Sequence, residues 1–186
     1  MSDPSRSLPY PQGAGPKPVP GPRFVVLAVA LMALFAGAYY YPYDPGTSLA
    51  NAIEFYLRLQ ARAAGAVIAL FDPSVTVRGT LINGRFPVQV VKSCSSLDAQ
   101  ALYAAAVLAF PARVLDKTLG LLLGVGLLSS LNLTRIAGLS LVGAHRPEWF
   151  DTIHEEILPL LLVISSCLAF VAWVRWTRRE NLPAAL

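Results

Sequence analysis

Residues 118–142 read TLGLLLGVGLLSSLNLTRIAGLSLV, an apolar run with a single charge, Arg135. About 20 such residues in α-helix cross the roughly 30 Å hydrocarbon core of a bilayer, so this stretch is expected to span a membrane. Three other runs have the same character, Phe24–Tyr41, Ser96–Ala112 and Ile157–Trp176. Of the 186 residues 55% are hydrophobic and only 14% charged, too little polar surface to cover a water-soluble globule. The fold class that follows is an all-α integral membrane protein: about four transmembrane helices, plus an extracytoplasmic amphipathic helix and a small β-hairpin. The expected boundaries are 1–22 for a disordered cytoplasmic tail, 23–41, 94–112, 118–142 and 154–176 for the membrane helices, 42–93 for the extracytoplasmic segment and 177–186 for a second cytoplasmic tail. The second helix is the least hydrophobic of the four; Pro111 marks its end, and its alanines suit close packing.

The leader carries Pro9, Pro11, Pro16, Pro18, Pro20 and Pro22, which forbid helix and leave little to bury. No small-residue cleavage site closes the first apolar run, so it reads as an uncleaved anchor. Arg6, Lys17 and Arg23 precede that run, Arg113 and Lys117 fill the turn after the second, and Arg175, Arg178 and Arg179 follow the fourth. The positive-inside bias puts all of these, and both termini, in the cytoplasm. Arg58, Arg62, Arg78, Arg85, Lys92 and Arg146 fall on the other side, so the bias rests on closeness to helix ends rather than on totals. Tyr39, Tyr40, Tyr41 and Tyr43 at one membrane face, and Trp173 with Trp176 at the other, fit aromatic belts.

The net charge of +4 is spread singly between apolar runs, which points to membrane lipids as partner and away from nucleic acid. Cys94 and Cys167 form no C-x-x-C pair, excluding a thiol-exchange motif, and no His, Cys and carboxylate cluster has metal-ligand spacing. No metal or other cofactor is expected. Within 42–93, Ser48 to Phe71 sets Leu49, Ile53, Tyr56, Leu57 and Leu59 against Arg58 and Arg62 at helical spacing. Two placements fit, on the outer leaflet or fully buried, since 63–70 is apolar all round. Val75–Arg78, Asn83-Gly84 and Phe86–Val91 read as a β-hairpin turning at Asn-Gly, delivering the chain to Cys94.

Depth singles out three polar residues. At 1.5 Å per helical residue, Cys94 lies roughly 28 Å from Arg113, Arg135 roughly 26 Å from Thr118 and His154 roughly 31 Å from Arg175. A thiol, a guanidinium and an imidazole on three helices would thus meet near the outer edge of the hydrocarbon. The thiolate is the nucleophilic form, favoured by positive charge or a helix N-terminus. Imidazole can take the thiol proton and return it to a leaving amine. Arg135 stays protonated, which suits it to stabilise a thiolate or an oxyanion, and a charge at that depth must face protein or water.

Each residue also has a plainer reading. A lone Cys in an apolar protein is more often a packing residue, as Cys167 is read; Arg135 could snorkel to the headgroups; and His154 could be interfacial, as His145 beside Arg146 is read. Supporting candidates are Asp98, expected to share a helical face with Cys94 and to pair with Arg135, Asn132 three residues before Arg135, Ser95, and Glu155, placed to orient His154. Glu155 and Glu156 also have the simpler role of favouring the helix dipole.

Ser93-Cys94-Ser95-Ser96, Asn132-Leu133-Thr134-Arg135-Ile136 and Phe150-Asp151-Thr152-Ile153-His154, in that order, resemble the Cys, Arg and His motifs of the exosortase and archaeosortase family. The similarity spans about residues 85–175, and Leu108–Ala112 followed by Leu121–Leu133 resembles the short form called exosortase H. The resemblance implies a cysteine protease or transpeptidase of the bacterial inner membrane, with its site extracytoplasmic. Its partners would be exported proteins bearing a C-terminal motif, a hydrophobic helix and a basic tail, which it would cleave and transfer to an acceptor glycan or lipid. Carried over by position, Cys94 is nucleophile, His154 acid/base and Arg135 electrostatic stabiliser. Many relatives carry Gly where Ser96 stands, and Gly permits close backbone approach. The alternative is a non-catalytic assembly partner in an envelope or polysaccharide export system, with Cys94 merely packed and Arg135 paired to Asp98. A transporter ranks last, since Ser129, Ser130 and Ser165 are only weakly polar.

Overall fold

The computed structural model describes residues 21–44 and 46–180. The expected N-terminal tail, with Arg6 and Lys17, falls outside the described residues up to position 20, and so do the last six residues of the C-terminal one. Among the described residues, six helices and three short strands occur in the order α1 Pro22–Tyr40, α2 Ser48–Ala69, β1 Thr76–Arg78, β2 Leu81–Asn83, β3 Val88–Gln89, α3 Leu97–Ala109, α4 Val114–His145, α5 Phe150–Thr152 and α6 Leu158–Glu180. A 3-10 turn at Lys92–Cys94 precedes α3, another at Pro147–Trp149 follows α4, and a π-helical turn, Ile153–Ile157, joins α5 to α6.

Three stretches among the described residues are long and apolar enough to cross a membrane: α1, α4 and the continuous Pro147–Arg179 segment. The second expected span falls short. Helix α3 has 13 residues, about 20 Å of rise, because two residue-specific stops bound it. At its start Ser96 has a left-handed backbone, φ 56°, so the helix begins at Leu97 and not at Cys94. At its end Phe110 is extended, φ −72° and ψ 136°, the conformation that Pro111 demands of its predecessor. Lys117 Nζ then donates to the Leu108 carbonyl at 2.6 Å, satisfying one of the orphan acceptors at the helix C-terminus.

Helix α1 opens on Pro22, whose missing N–H costs nothing in a first turn, and it leaves Val25, Val26, Val29 and Leu34 exposed, as a lipid-facing helix does. Helix α4 has 32 residues, about 48 Å, and is the column on which the rest packs. Its glycines admit that packing: a Cβ on Gly124 would run into the Tyr103 ring, one on Gly120 into Trp173 and one on Gly143 into Phe86. Tyr103 then donates to the Gly120 carbonyl at 2.8 Å, and Ser166 of α6 donates to the Ala99 carbonyl of α3 at 3.1 Å.

One apolar cluster, Tyr103, Val107, Phe110, Leu128 and Trp173, fills the bundle toward the α3 C-terminus. Trp173 is buried in it, and its indole N–H donates to the Asp116 carbonyl at 3.0 Å. It is therefore a core residue rather than part of an aromatic belt, because that carbonyl offers its polar edge a partner inside the protein. A second cluster includes Ile53, Leu57, Ala64, Ile68, Ile82, Val90, Cys94 and Ile136.

Helix α2 supplies much of the second cluster, which decides between its two placements. One face packs on protein while Phe55, Leu59 and the adjoining Phe71 stay exposed, so it is neither wholly buried nor free of the bundle. Thr47 caps it, its hydroxyl accepting the Ala50 N–H at 3.3 Å. The expected hairpin is a three-stranded antiparallel meander in the order β1-β2-β3. Arg78 pairs with Leu81, so the two-residue turn is Gly79-Thr80, with Gly79 at φ 61°. Asn83 instead ends β2 opposite Thr76. Gly79 supplies the positive φ that such a turn requires, which the Asn-Gly signal had been taken to provide.

Gly124→Leu should lower the thermal unfolding midpoint of the purified protein, by an amount equivalent to about 1–3 kcal/mol of overpacking. Gly126→Ala, on the open face of the same helix where an added Cβ meets nothing within 4 Å, should leave the midpoint unchanged or raise it.

Candidate active site

Cys94 ends its 3-10 turn, with its N–H on the Val91 carbonyl at 2.9 Å and the Ser95 N–H on the Lys92 carbonyl at 3.1 Å. Cys94, Ser95 and Ser96 are buried, and side chains of four helices reach this segment. Tyr39 of α1 donates to the Lys92 carbonyl at 2.9 Å and lies 3.0 Å from Ser95 Oγ. Tyr56 of α2 reaches the Ser95 carbonyl at 3.4 Å. From α4, Asn132 Nδ2 donates to the Cys94 carbonyl at 2.9 Å. Gln100 of α3 puts its amide nitrogen 2.9 Å from Ser96 Oγ, 3.1 Å from the Tyr56 hydroxyl and 3.2 Å from Ser129 Oγ. Gln60 closes the network, donating to Tyr56 at 2.7 Å. Buried backbone acceptors of this kind must be paired, and here side chains of three helices, α1, α2 and α4, pair them.

The three residues singled out by depth do meet. Cys94 Sγ lies 3.7 Å from His154 Nε2, within reach for a sulfur hydrogen bond. Arg135 is buried at 6% exposure, and its Nη2 donates to the His154 carbonyl at 3.2 Å. Among the described residues its Nε has no partner, nor have His154 Nδ1 and Asn132 Oδ1. His154 sits in the π-helical turn, an irregularity frequent at functional sites because it re-aims a side chain relative to the regular helix.

The supporting candidates divide. Ser95 and Asn132 belong to the site, through the bonds just described. Asp98 does not pair with Arg135. It accepts the Tyr40 hydroxyl at 2.9 Å on the protein surface, and since Cys94 precedes α3 the two share no helical face. Glu155 is exposed and does not bond His154 Nδ1, since consecutive residues of a helix do not face each other. His145 bonds the Leu141 carbonyl at 2.9 Å at the surface, and Cys167 is exposed on α6; neither joins the cluster.

Tyr39, Tyr56, Gln60 and Gln100 were not singled out from the sequence. The signal available for the glutamines was a carboxamide in the middle of an Ala-rich run, each one helical turn after a hydroxyl residue, Tyr56 before Gln60 and Ser96 before Gln100. Tyr39 was hidden among four neighbouring tyrosines that also suit a membrane interface.

Residues 21–171 match the family model described as Transmembrane exosortase. The match takes in most of the chain, including Cys94, Arg135 and His154, and the chain belongs to that family. No curated protein and no solved structure matches it.

Asn132→Ala should destabilise the protein by about 1–3 kcal/mol in thermal or denaturant unfolding, since it strands the buried Cys94 carbonyl. At Ser96 two effects compete. Ser96→Ala keeps the left-handed backbone and loses the Gln100 contact, whereas Ser96→Gly loses the contact but relieves about 1–2 kcal/mol of left-handed strain. The expected order of unfolding midpoints puts the alanine variant below both wild type and glycine.

Proposed function

We propose, from membership of the transmembrane exosortase family, that this chain is a membrane-embedded cysteine peptidase or transpeptidase acting on exported proteins, with Cys94 as nucleophile, His154 as acid/base and Arg135 as electrostatic stabiliser. The observation that carries the reading is the 3.7 Å approach of Cys94 Sγ to His154 Nε2 beside a buried guanidinium with no ion-pair partner among the described residues. In this mechanism Nε2 takes the thiol proton as Sγ attacks the scissile carbonyl. The oxyanion that forms is met by Arg135. Collapse of the tetrahedral adduct breaks the C–N bond, His154 returns its proton to the leaving amine, and an acyl thioester stays on Cys94. An acceptor amine or hydroxyl, or water, then attacks the thioester, losing its proton to His154 as the thiolate leaves.

Substrates on this reading carry a short motif, an apolar helix and a basic tail at the C-terminus. Support for lateral entry comes from a cavity of about 390 Å³ between α4 and α6, lined by Thr134, Arg135, Gly138, Leu158, Leu161 and Ser165. It is apolar apart from Arg135 and two hydroxyls, a surface on which a membrane-embedded segment can pack without an aqueous path. The clustered Arg113 and Lys117, with Arg175, Arg178 and Arg179, favour a cytoplasmic location for that end of the bundle and so an extracytoplasmic one for Cys94. The acceptor is a glycan or lipid.

The test is processing of a tagged exported protein bearing such a C-terminal signal in cells producing the chain. Cys94→Ala should abolish it, His154→Ala should slow it about 100- to 10,000-fold, and Arg135→Ala should slow it about 100- to 1,000-fold. Wild-type processing by the Cys94→Ala protein, at equal membrane abundance, would leave a non-catalytic assembly role.

A further inference from the structure

His154 is held by fewer polar bonds than an acid/base imidazole ordinarily has. Nε2 faces Cys94, but Nδ1 is buried without a partner among the described residues, and neither Asp151 nor Glu155 bonds it. A ring tied at one nitrogen can still turn about its Cβ–Cγ bond unless packing fixes its plane. That packing is present. Phe150, one helical turn earlier, lies flat on the imidazole, with centroids 5.5 Å apart and planes 20° from parallel. Phe150 is backed in turn by Phe86, whose ring centroid is 4.9 Å away. Phe86 comes from the connection between β2 and β3 and rests on Gly143 of α4, where a Cβ would collide with its ring.

We propose that Phe150 is the positioning residue of His154, fixing the imidazole by aromatic stacking where no carboxylate among the described residues holds Nδ1, and that Phe86 carries this support from the meander. The inference rests on the Cys94–His154 reading given above. A ring face within about 6 Å also attracts a cation, so the stack favours the imidazolium that forms when the thiol gives up its proton. Removing the ring should therefore raise the pH at which Cys94 becomes a thiolate. The charged and titratable groups around His154 are Cys94 from its turn, Arg135 from α4, and Asp151 and Glu155 from its own segment; all remain in the variants below.

The experiment uses the full chain in lipid nanodiscs, with Cys167→Ser so that Cys94 is the only thiol. Iodoacetamide alkylation is followed by mass spectrometry across pH, and folding is checked by thermal unfolding. Phe150→Leu should move the midpoint of the alkylation profile up by about half a pH unit and slow labelling at neutral pH. Phe150→Tyr and Phe150→Trp, which keep a ring face, should restore the wild-type profile, and Phe86→Leu should produce a smaller shift in the same direction. Phe150→Met replaces the leucine variant if that one does not fold. A wild-type profile in Phe150→Leu, with His154→Ala shifting it, would overturn the positioning role while leaving the Cys–His pair intact. A profile that His154→Ala leaves unmoved would instead remove the pair, and the positioning role with it.

Discussion

A hydrogen bond of 2.9 Å from Asn132 to the carbonyl of Cys94 ties the turn that carries the thiol to the 32-residue helix α4. Everything near the thiol is arranged around that tether. One helical turn further along α4, Arg135 binds the carbonyl of His154, so the same helix fixes the thiol's backbone and the imidazole's backbone at once. Both tethers act on main chain and leave Sγ and Nε2 facing each other. An amide that buries its donor this way is costly to remove, because the carbonyl it serves has no route to water.

The spans could be read from the sequence because lipid imposes one requirement, a long apolar helix, and α1, α4 and α6 meet it in full. Depth counting also brought Cys94, Arg135 and His154 to one level, since rise per residue converts directly to height. What the count could not contain was local backbone geometry. It assumed continuous helix through Cys94, whereas a 3-10 turn and a left-handed Ser96 stand there, and the error propagated to Asp98, whose face was deduced from a helix that had not yet begun. Glu155 failed for a different reason, since residues adjacent in a helix do not face each other. The polar network was invisible because its members come from four helices, and hydrogen bonds between distant segments leave no periodic trace.

Ser96 shows what the family resemblance added and what it missed. Relatives with Gly at this position invite an explanation from close approach, but the structure gives one from torsion: the residue after Ser95 must be left-handed to turn the chain into α3. A glycine does this without strain. Here a serine does it, and its hydroxyl is met by Gln100, one turn into the helix that Ser96 initiates. A side-chain bond thus offsets a backbone cost, and the turn is kept.

The length of α4 has a consequence for the medium around it. At about 48 Å it exceeds even the roughly 40–45 Å of a bilayer counted with its headgroups, so it answers to membrane thickness by leaning. Helix α1, with 19 residues, is shorter and adjusts less. Thinner lipids would increase the lean and carry Arg135 and Asn132 sideways relative to the loop they anchor, while thicker lipids would straighten the column. A lean of α4 bears on the cluster because this helix holds Cys94 and His154 by their main-chain carbonyls.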